Sequence, residues 1–287
     1  MIDKSSYSQI LKSSSIIGGA AGVNLLLGMI RTKFAAVLIG TTGVGLIANY
    51  TAIQSLVGTV AGLGIHSSAV RDVTISAAKS DQIQIARVVL SLRRICWLTG
   101  LFGALTLIVL SPFVSRWVFE SLDFTLEVAL LGIVILLGNL SGGQLALLQG
   151  LRRIGDIARV NIFSAVSGTI ISVGLYSWLG LEGIIPVILL MAALALGFNY
   201  AFVRRVPMQN TKMTWCESLL AVRGMIRLGI AFMWSTLIAS LVGFSVNVII
   251  TRQFGLEALG IYSSAFALSG MFVDFVLGAM GTDFYPR

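Results

Sequence analysis

An all-helical polytopic membrane protein is the fold class this sequence predicts, and three observations predict it. Only 11% of the 287 residues are charged, 56% are hydrophobic, and the mean hydropathy is +0.94; soluble domains carry about 25% charged residues. The apolar residues collect in eight runs, each near the ~20 residues needed to cross a hydrocarbon core. The segments between the runs alternate between basic and nearly uncharged or acidic.

The runs fall at about 13–39, 44–66, 95–119, 126–148, 160–179, 183–203, 228–250 and 259–283. Lipid offers no partner for a backbone N–H or C=O, so each run must be a helix. Met1 to Ser15 is polar and leads into an apolar run longer than a signal-peptide core, so no cleavable leader is expected. Sixteen of the twenty basic residues lie in one alternate set of segments, among them Lys4, Lys12, Arg71, Arg93, Arg94, Arg152, Arg153, Arg204 and Arg287. The other set holds Thr41-Thr42, then Arg116, Glu120, Asp123 and Glu127, then Glu182, then Arg252 and Glu257. The positive-inside rule makes the first set cytoplasmic, with the N-terminus inside. The net charge of +8 and pI of about 9.9 therefore describe topology, and no nucleic-acid partner is expected.

The second and eighth runs belong to one repeat. At an offset of 215 residues Gly40 falls on Gly255, Gly45 on Gly260, Leu46 on Ile261, Gly28 on Gly243 and Lys12 on Arg227. A basic entry, an apolar helix, a Gly turn and a second apolar helix recur in one register. The chain is thus expected to comprise a six-helix bundle over 1–214 and, over 215–287, the first two helices of a second bundle. Two copies of the unit would make about 430 residues and twelve spans, as duplicated transporters are built, so the sequence is expected to be truncated after eight of about twelve helices.

Several motifs carry no chemistry here. Gly43-Val44-Gly45-Leu46-Ile47-Ala48 fits a dinucleotide fingerprint, but that signal needs a βαβ setting. No phosphate-binding G-x-x-x-x-G-K-[ST] loop is present. Cys96 and Cys216 lie far apart and, with the one histidine, His66, cannot make a usual zinc site. His66 is expected at a helix end near the cytoplasmic interface. Asn49-Tyr50-Thr51 and Asn139-Leu140-Ser141 match the glycosylation pattern within apolar runs, where it has no meaning. Gly18/Gly22, Gly58/Gly62 and Gly138/Gly142 have the small-xxx-small spacing that lets membrane helices pack closely. No catalytic constellation, cofactor site or metal site is read from the sequence, and the protein is expected not to be an enzyme.

The charges within the spans are the site candidates, because a buried charge is costly and faces a cavity or a partner. Arg31 and Lys33 precede Gly40 by nine and seven residues, roughly 10–14 Å of helix. Two readings stand: both snorkel to the outer headgroups, or both line a cavity. The repeat puts Val246 and Val248 at their places, so only one copy carries these cations. Asp274, whose counterpart is Thr59, is the candidate for proton or sodium coupling or else a local hydrogen-bonded acid; it lies deeper toward the cytoplasm than Arg31, so a direct ion pair is not expected. Asn49 and Gln54 either bond between helices or line a path suited to sugar hydroxyls. Arg71, Arg152 and Arg153 set topology and touch anionic lipid, or meet an anionic substrate headgroup.

Gly40-x-x-Gly43-x-Gly45-Leu46-x-Ala48-Asn49, Ala61-Gly62-x-Gly64-Ile65, the hairpin Leu148 to Ala158, Leu259-Gly260-Ile261-Tyr262 and the ending Phe284-Tyr285-Pro286-Arg287 together resemble the O-antigen translocases. These are the lipid-linked oligosaccharide flippases of the multidrug/oligosaccharidyl-lipid/polysaccharide exporter superfamily. The likeness extends over essentially the whole chain. It implies two six-helix bundles around a cationic cavity, and alternating access that turns a polyprenyl-diphosphate oligosaccharide from the inner to the outer leaflet of the bacterial cytoplasmic membrane. It implies membrane lipids and other glycan-assembly proteins as partners, and places Arg31 and Lys33 on a cavity-lining helix. Three other readings compete: a cation-coupled multidrug exporter of the same fold, a glycan polymerase or ligase, and a non-transporting remnant. Exporters of organic cations need cavity acids, and polymerases usually carry a large outer loop; this sequence has basic intramembrane charges and short outer loops.

Overall fold

The computed structural model describes residues 4–78, 82–206 and 213–284. Among them there is no strand, and helix accounts for nearly every residue. The helices are α1 (Lys4–Gly62), α2 (Ile65–Ala78), α3 (Gln82–Phe119), α4 (Thr125–Gly150), α5 (Ile154–Leu179), α6 (Ile184–Val203) and α7 (Trp215–Phe284). Five stretches are long and apolar enough to cross a membrane: Ala21–Gly62, Ile83–Phe119, Thr125–Gly150, Ile154–Val203 and Val222–Gly270.

Three of those stretches are broken where the sequence puts an outer turn. Gly40, within α1, has φ 69° and ψ −178°; Gly255, within α7, has φ 85° and ψ 172°. That corner of backbone space is open essentially to glycine alone. The two breaks are 215 residues apart, so the repeat read in the sequence returns as the same backbone conformation at the same place. At Gly40 the chain reverses: Arg31 and Ala35 before it share a cavity with Thr51 and Gln54 after it. Between α5 and α6 the reversal is a short 3-10 turn, Gly180–Gly183, entered at Gly180 with φ 57°.

Other details follow from local chemistry. Pro112 lies inside α3 and cannot donate to the Ile108 carbonyl one turn back. The Ser111 hydroxyl donates to that carbonyl instead, at 2.8 Å. α7 begins with a capping box: the Thr214 N–H donates to Glu217 Oε2 at 2.9 Å, and the Glu217 N–H to Thr214 Oγ1 at 3.3 Å. The run predicted over 44–66 is interrupted at Leu63 and Gly64, both with positive φ, and α2 carries on in a new direction. α3 begins thirteen residues before the predicted third run, because its first turns are amphipathic and carry no unbroken apolar signal.

The largest core cluster joins Ala35, Ile39, Tyr50 and Ile53 of α1 to Leu107, Leu131, Ile184 and Phe244 of the other helices. A second cluster lies at the end near α2, around Ala69, Leu92, Ala146 and Met225. Outward, large apolar side chains stand free: Val109 is 75% exposed and Trp178 83%. Exposed apolar surface on that scale is what a lipid solvent covers.

Of the predicted glycine pairs, Gly62 makes a close approach, to Asn139 of α4, where a β-carbon would stand 3.2 Å from its Oδ1. Gly18, Gly22, Gly58 and Gly138 have no heavy atom within 4 Å of where a β-carbon would stand. Backbone meets backbone at Gly45 against Leu256 and Gly260, Gly260 against Thr41, and Gly64 against Gly229, while Gly103 packs on Ala61 and Gly150 on Val73. Four-residue spacing therefore marks the contacts only in part; what decides is which face meets another helix.

Candidate functional site

Two of the cavities among the described residues are lined by residues singled out in the sequence. The first, about 400 Å³, is enclosed by both arms of α1 with α4, α5 and α6. Arg31, Thr51, Gln54, Ser172, Tyr176 and Met191 are among its lining residues. Arg31 is half-buried, and its Nη1 donates to the Met191 sulfur at 3.7 Å. A thioether is a weak acceptor. Among the described residues no carboxylate pairs with this guanidinium. The outcome is a cation held inside the bundle with most of its donors free. A fork of N–H donors suits a phosphate or carboxylate.

The second cavity, about 350 Å³, lies between α1, α2, α3, α4 and α7. It is walled by Gln54, Thr59, His66, Thr99, Asn139 and Thr236. His66 Nδ1 is 2.9 Å from the Gly142 carbonyl, so Nδ1 carries the proton and donates. Asn139 Nδ2 is buried without a protein partner. The open glycines Gly58 and Gly138 make room here. Gln54 is a wall common to both cavities.

The other sequence candidates lie apart from Arg31. Lys33 is exposed, two residues further along the helix. Asn49 is fully buried, and its Nδ2 donates to Thr251 Oγ1 at 2.9 Å. Asn247 Nδ2 donates to the Ala48 carbonyl at 3.3 Å, and the Ser55 and Ser240 hydroxyls lie 3.2 Å apart. These bonds form a polar ladder joining the second arm of α1 to the first arm of α7. Arg71 is exposed on α2, Arg152 is exposed in the α4–α5 turn with φ 53°, and Arg153 pairs with Asp156 at 3.3 Å. Asp274 lies in the stretch of α7 whose side chains fall outside the described residues, as does Cys216. Cys96 is a buried free thiol. Among the described residues no group of three metal-ligating side chains forms.

Two polar features escaped the sequence reading. Arg94, grouped there with topology charges, reaches from α3 to the start of α7. It donates to the Thr214 carbonyl at 2.9 Å, Ser218 Oγ at 2.6 Å and the Met213 carbonyl at 3.0 Å, and lies 4.6 Å over the Trp215 ring. The box Thr214-x-x-Glu217 was the available signal for its target. Glu120 and Arg252, read as outer-side charges, pair at 2.9 Å.

The fold and these cavities define a helical, polytopic membrane protein with an internal repeat and a cation among its helices that no carboxylate of the described residues pairs. The chain belongs to the polysaccharide biosynthesis protein family, whose profile matches residues 10–287. Over 283 residues it is 22% identical to a lipid III flippase of Escherichia coli strain K12, covering 96% of this chain and 66% of that protein. The chain thus spans just under two thirds of the relative's length. Among solved structures it is similar to the MATE multidrug transporter DinF-BH, with TM-score 0.69 and 18% identity, covering 96% of this chain and 63% of that one. A multidrug resistance MATE family transporter of the MOP superfamily, inward-facing, gives TM-score 0.57 at 16% identity, covering 91% and 64%. The fold is therefore that of the MATE transporters.

Proposed function

We propose that this chain forms the first bundle, and the opening hairpin of the second, of a flippase for lipid-linked oligosaccharides. The cargo is a polyprenyl-diphosphate-linked unit of the O-antigen type, turned from the inner to the outer leaflet of the bacterial cytoplasmic membrane by alternating access. The reading has eight crossings and a cytoplasmic N-terminus, from the alternation of basic segments. The observation that carries it is Arg31, a guanidinium that no carboxylate pairs among the described residues, in a cavity whose walls include hydroxyl and amide groups.

In this reading Arg31 meets the diphosphate by charge-assisted hydrogen bonds, and Lys33 supplies a second positive charge on the same helix. Gln54 offers an amide to sugar hydroxyls. Asn49 bonds the two copies together while they rearrange. Arg71, Arg152 and Arg153 collect anionic headgroups at the cytoplasmic face. A proton or sodium gradient drives the cycle, with Asp274 as the coupling acid, and other glycan-assembly proteins supply and take up the unit. A multidrug exporter of this fold would need an acid facing its cationic cargo, and the Arg31 cavity has none among its lining residues.

The test is replacement of Arg31 and Lys33 by alanine in the complete protein. Glycan delivery to the cell surface, and flipping of a labelled lipid-linked oligosaccharide in proteoliposomes, should both be lost at normal protein levels. Normal delivery in the double variant overturns the reading.

A further inference from the structure

A third cavity, about 550 Å³, lies between α3, α4 and α6, and among the described residues none of α1, α2, α5 or α7 lines it. Ligand sites commonly enclose ~300–1,000 Å³. Its walls are apolar, with Leu92, Trp97, Leu140, Leu147, Leu196 and Val203 among them. Along α4 the lining runs from Leu137 to Leu147, about 15 Å at 1.5 Å per residue. That is half of a ~30 Å hydrocarbon core, or one leaflet.

Two exposed arginines line this groove: Arg204, which caps α6, at the end of that helix's share of the wall, and Arg93 midway along the α3 share, which runs from Val89 to Trp97. The helix registers bring them near one level. Gly143 of α4 lies against Leu92 and Cys96, and Asn199 of α6 donates to Ser141 of α4 at 2.9 Å. The Arg204 guanidinium rests 5.1 Å over the Tyr200 ring. Among the described residues no carboxylate pairs with either arginine. Gln144 Oε1, in the same cavity wall, is buried without a partner. The Arg204 end also carries Arg152, Arg153 and the Arg94 clamp, so it faces the cytoplasmic leaflet by the positive-inside rule.

We propose that this groove is a binding site for an anionic phospholipid of the cytoplasmic leaflet. One acyl chain lies along the α3–α4–α6 groove, and the phosphate is held between the Arg93 and Arg204 guanidinium groups. Basic pockets between membrane helices on this side attract anionic headgroups, and the planar fork of arginine matches phosphate oxygens. The groove ends after one leaflet and has no hydroxyl-rich wall for sugars. Both features favour a phospholipid over a long polyprenyl chain carrying an oligosaccharide. The site is separate from the Arg31 cavity and does not depend on the flippase reading.

The experiment is lipid retention by the purified full chain in neutral detergent, read by native mass spectrometry. Phosphatidylglycerol, phosphatidylethanolamine and a polyprenyl diphosphate are offered at equal concentration. Phosphatidylglycerol should be retained about tenfold over phosphatidylethanolamine, a difference of ~1.4 kcal/mol. Arg93→Gln with Arg204→Gln should remove that preference. Gly197→Leu fills the groove from a position where a β-carbon meets nothing within 4 Å; it should release both phospholipids without lowering the melting temperature of the lipid-free protein. Equal retention of the two phospholipids, or an unchanged preference in the double arginine variant, overturns the site. Unchanged retention in Gly197→Leu overturns its location. Preferential retention of the polyprenyl diphosphate overturns the phospholipid assignment.

Discussion

Gly45 and Gly260 face each other across the joint between the two copies. A β-carbon on Gly45 would run into the Leu256 carbonyl, and one on Gly260 into the Thr41 carbonyl. Thr41 and Leu256 are themselves 215 residues apart, so the contact is self-complementary, as in a twofold interface. Gly45→Ala and Gly260→Ala should each lower stability by about 1–3 kcal/mol, the usual cost of overpacking. The double variant should cost clearly less than the sum, because the first alanine already separates the backbones. Thermal unfolding in detergent measures this cycle; strict additivity would show that the two glycines do not share one contact.

Gly40 and Gly255 test the backbone rather than space, since at neither is there an atom within 4 Å of where a β-carbon would stand. Alanine at either should still cost about 1–3 kcal/mol, from the conformation alone. Gly174, inside α5 and equally open, is the control: Gly174→Ala should be neutral or gain up to ~1 kcal/mol.

Ser111 and Pro112 give a coupled pair. Ser111→Ala leaves the Ile108 carbonyl without its donor and should cost about 1 kcal/mol. In a Pro112→Ala background the new N–H can serve that carbonyl, and Ser111→Ala should then be nearly neutral. An equal cost in both backgrounds would show that the hydroxyl does not replace the missing N–H.

Asp72 and Glu217 lie outside the membrane-spanning stretches and should respond oppositely to acid. Burial raises the Asp72 pKa, only partly opposed by the adjacent Arg71 charge. The folded state then holds the proton more tightly than the unfolded one, so Asp72 is destabilising above its folded pKa and this is relieved as pH falls. The Thr214 N–H and hydroxyl lower the Glu217 pKa, so its stabilising share is present above the unfolded pKa and is lost as pH falls through the folded one. Asp72→Asn should stabilise at neutral pH and less on acidification; Glu217→Gln should destabilise at neutral pH and less on acidification. Melting curves from pH 7 to pH 3 compare the two.

The apolar runs and the repeat were legible because lipid forces helices and because glycine alone tolerates the backbone at Gly40 and Gly255. Arg31 was legible as a candidate because a cation within a span needs a reason. What the sequence did not display was azimuth. Asn49 and Gln54 are five residues apart on one helix; one is buried in the joint with Thr251, and the other walls two cavities. Arg94 read as one cation in a basic segment, since its partners Met213, Thr214 and Ser218 lie more than a hundred residues away. The glycine pairs at spacing four were legible only in part for the same reason: Gly62 meets Asn139 while Gly58 and Gly138 meet nothing, because spacing names a face without naming what packs on it.

The ladder between the copies also sets a clock. Asn49 is made 202 residues before Thr251, its partner. At ~5–20 residues per second of synthesis, roughly 10–40 s pass between them. Until the second hairpin is made, the Gly45 notch and the Asn49 amide lack the partners they have in the folded protein, so this joint is among the last contacts the chain can form.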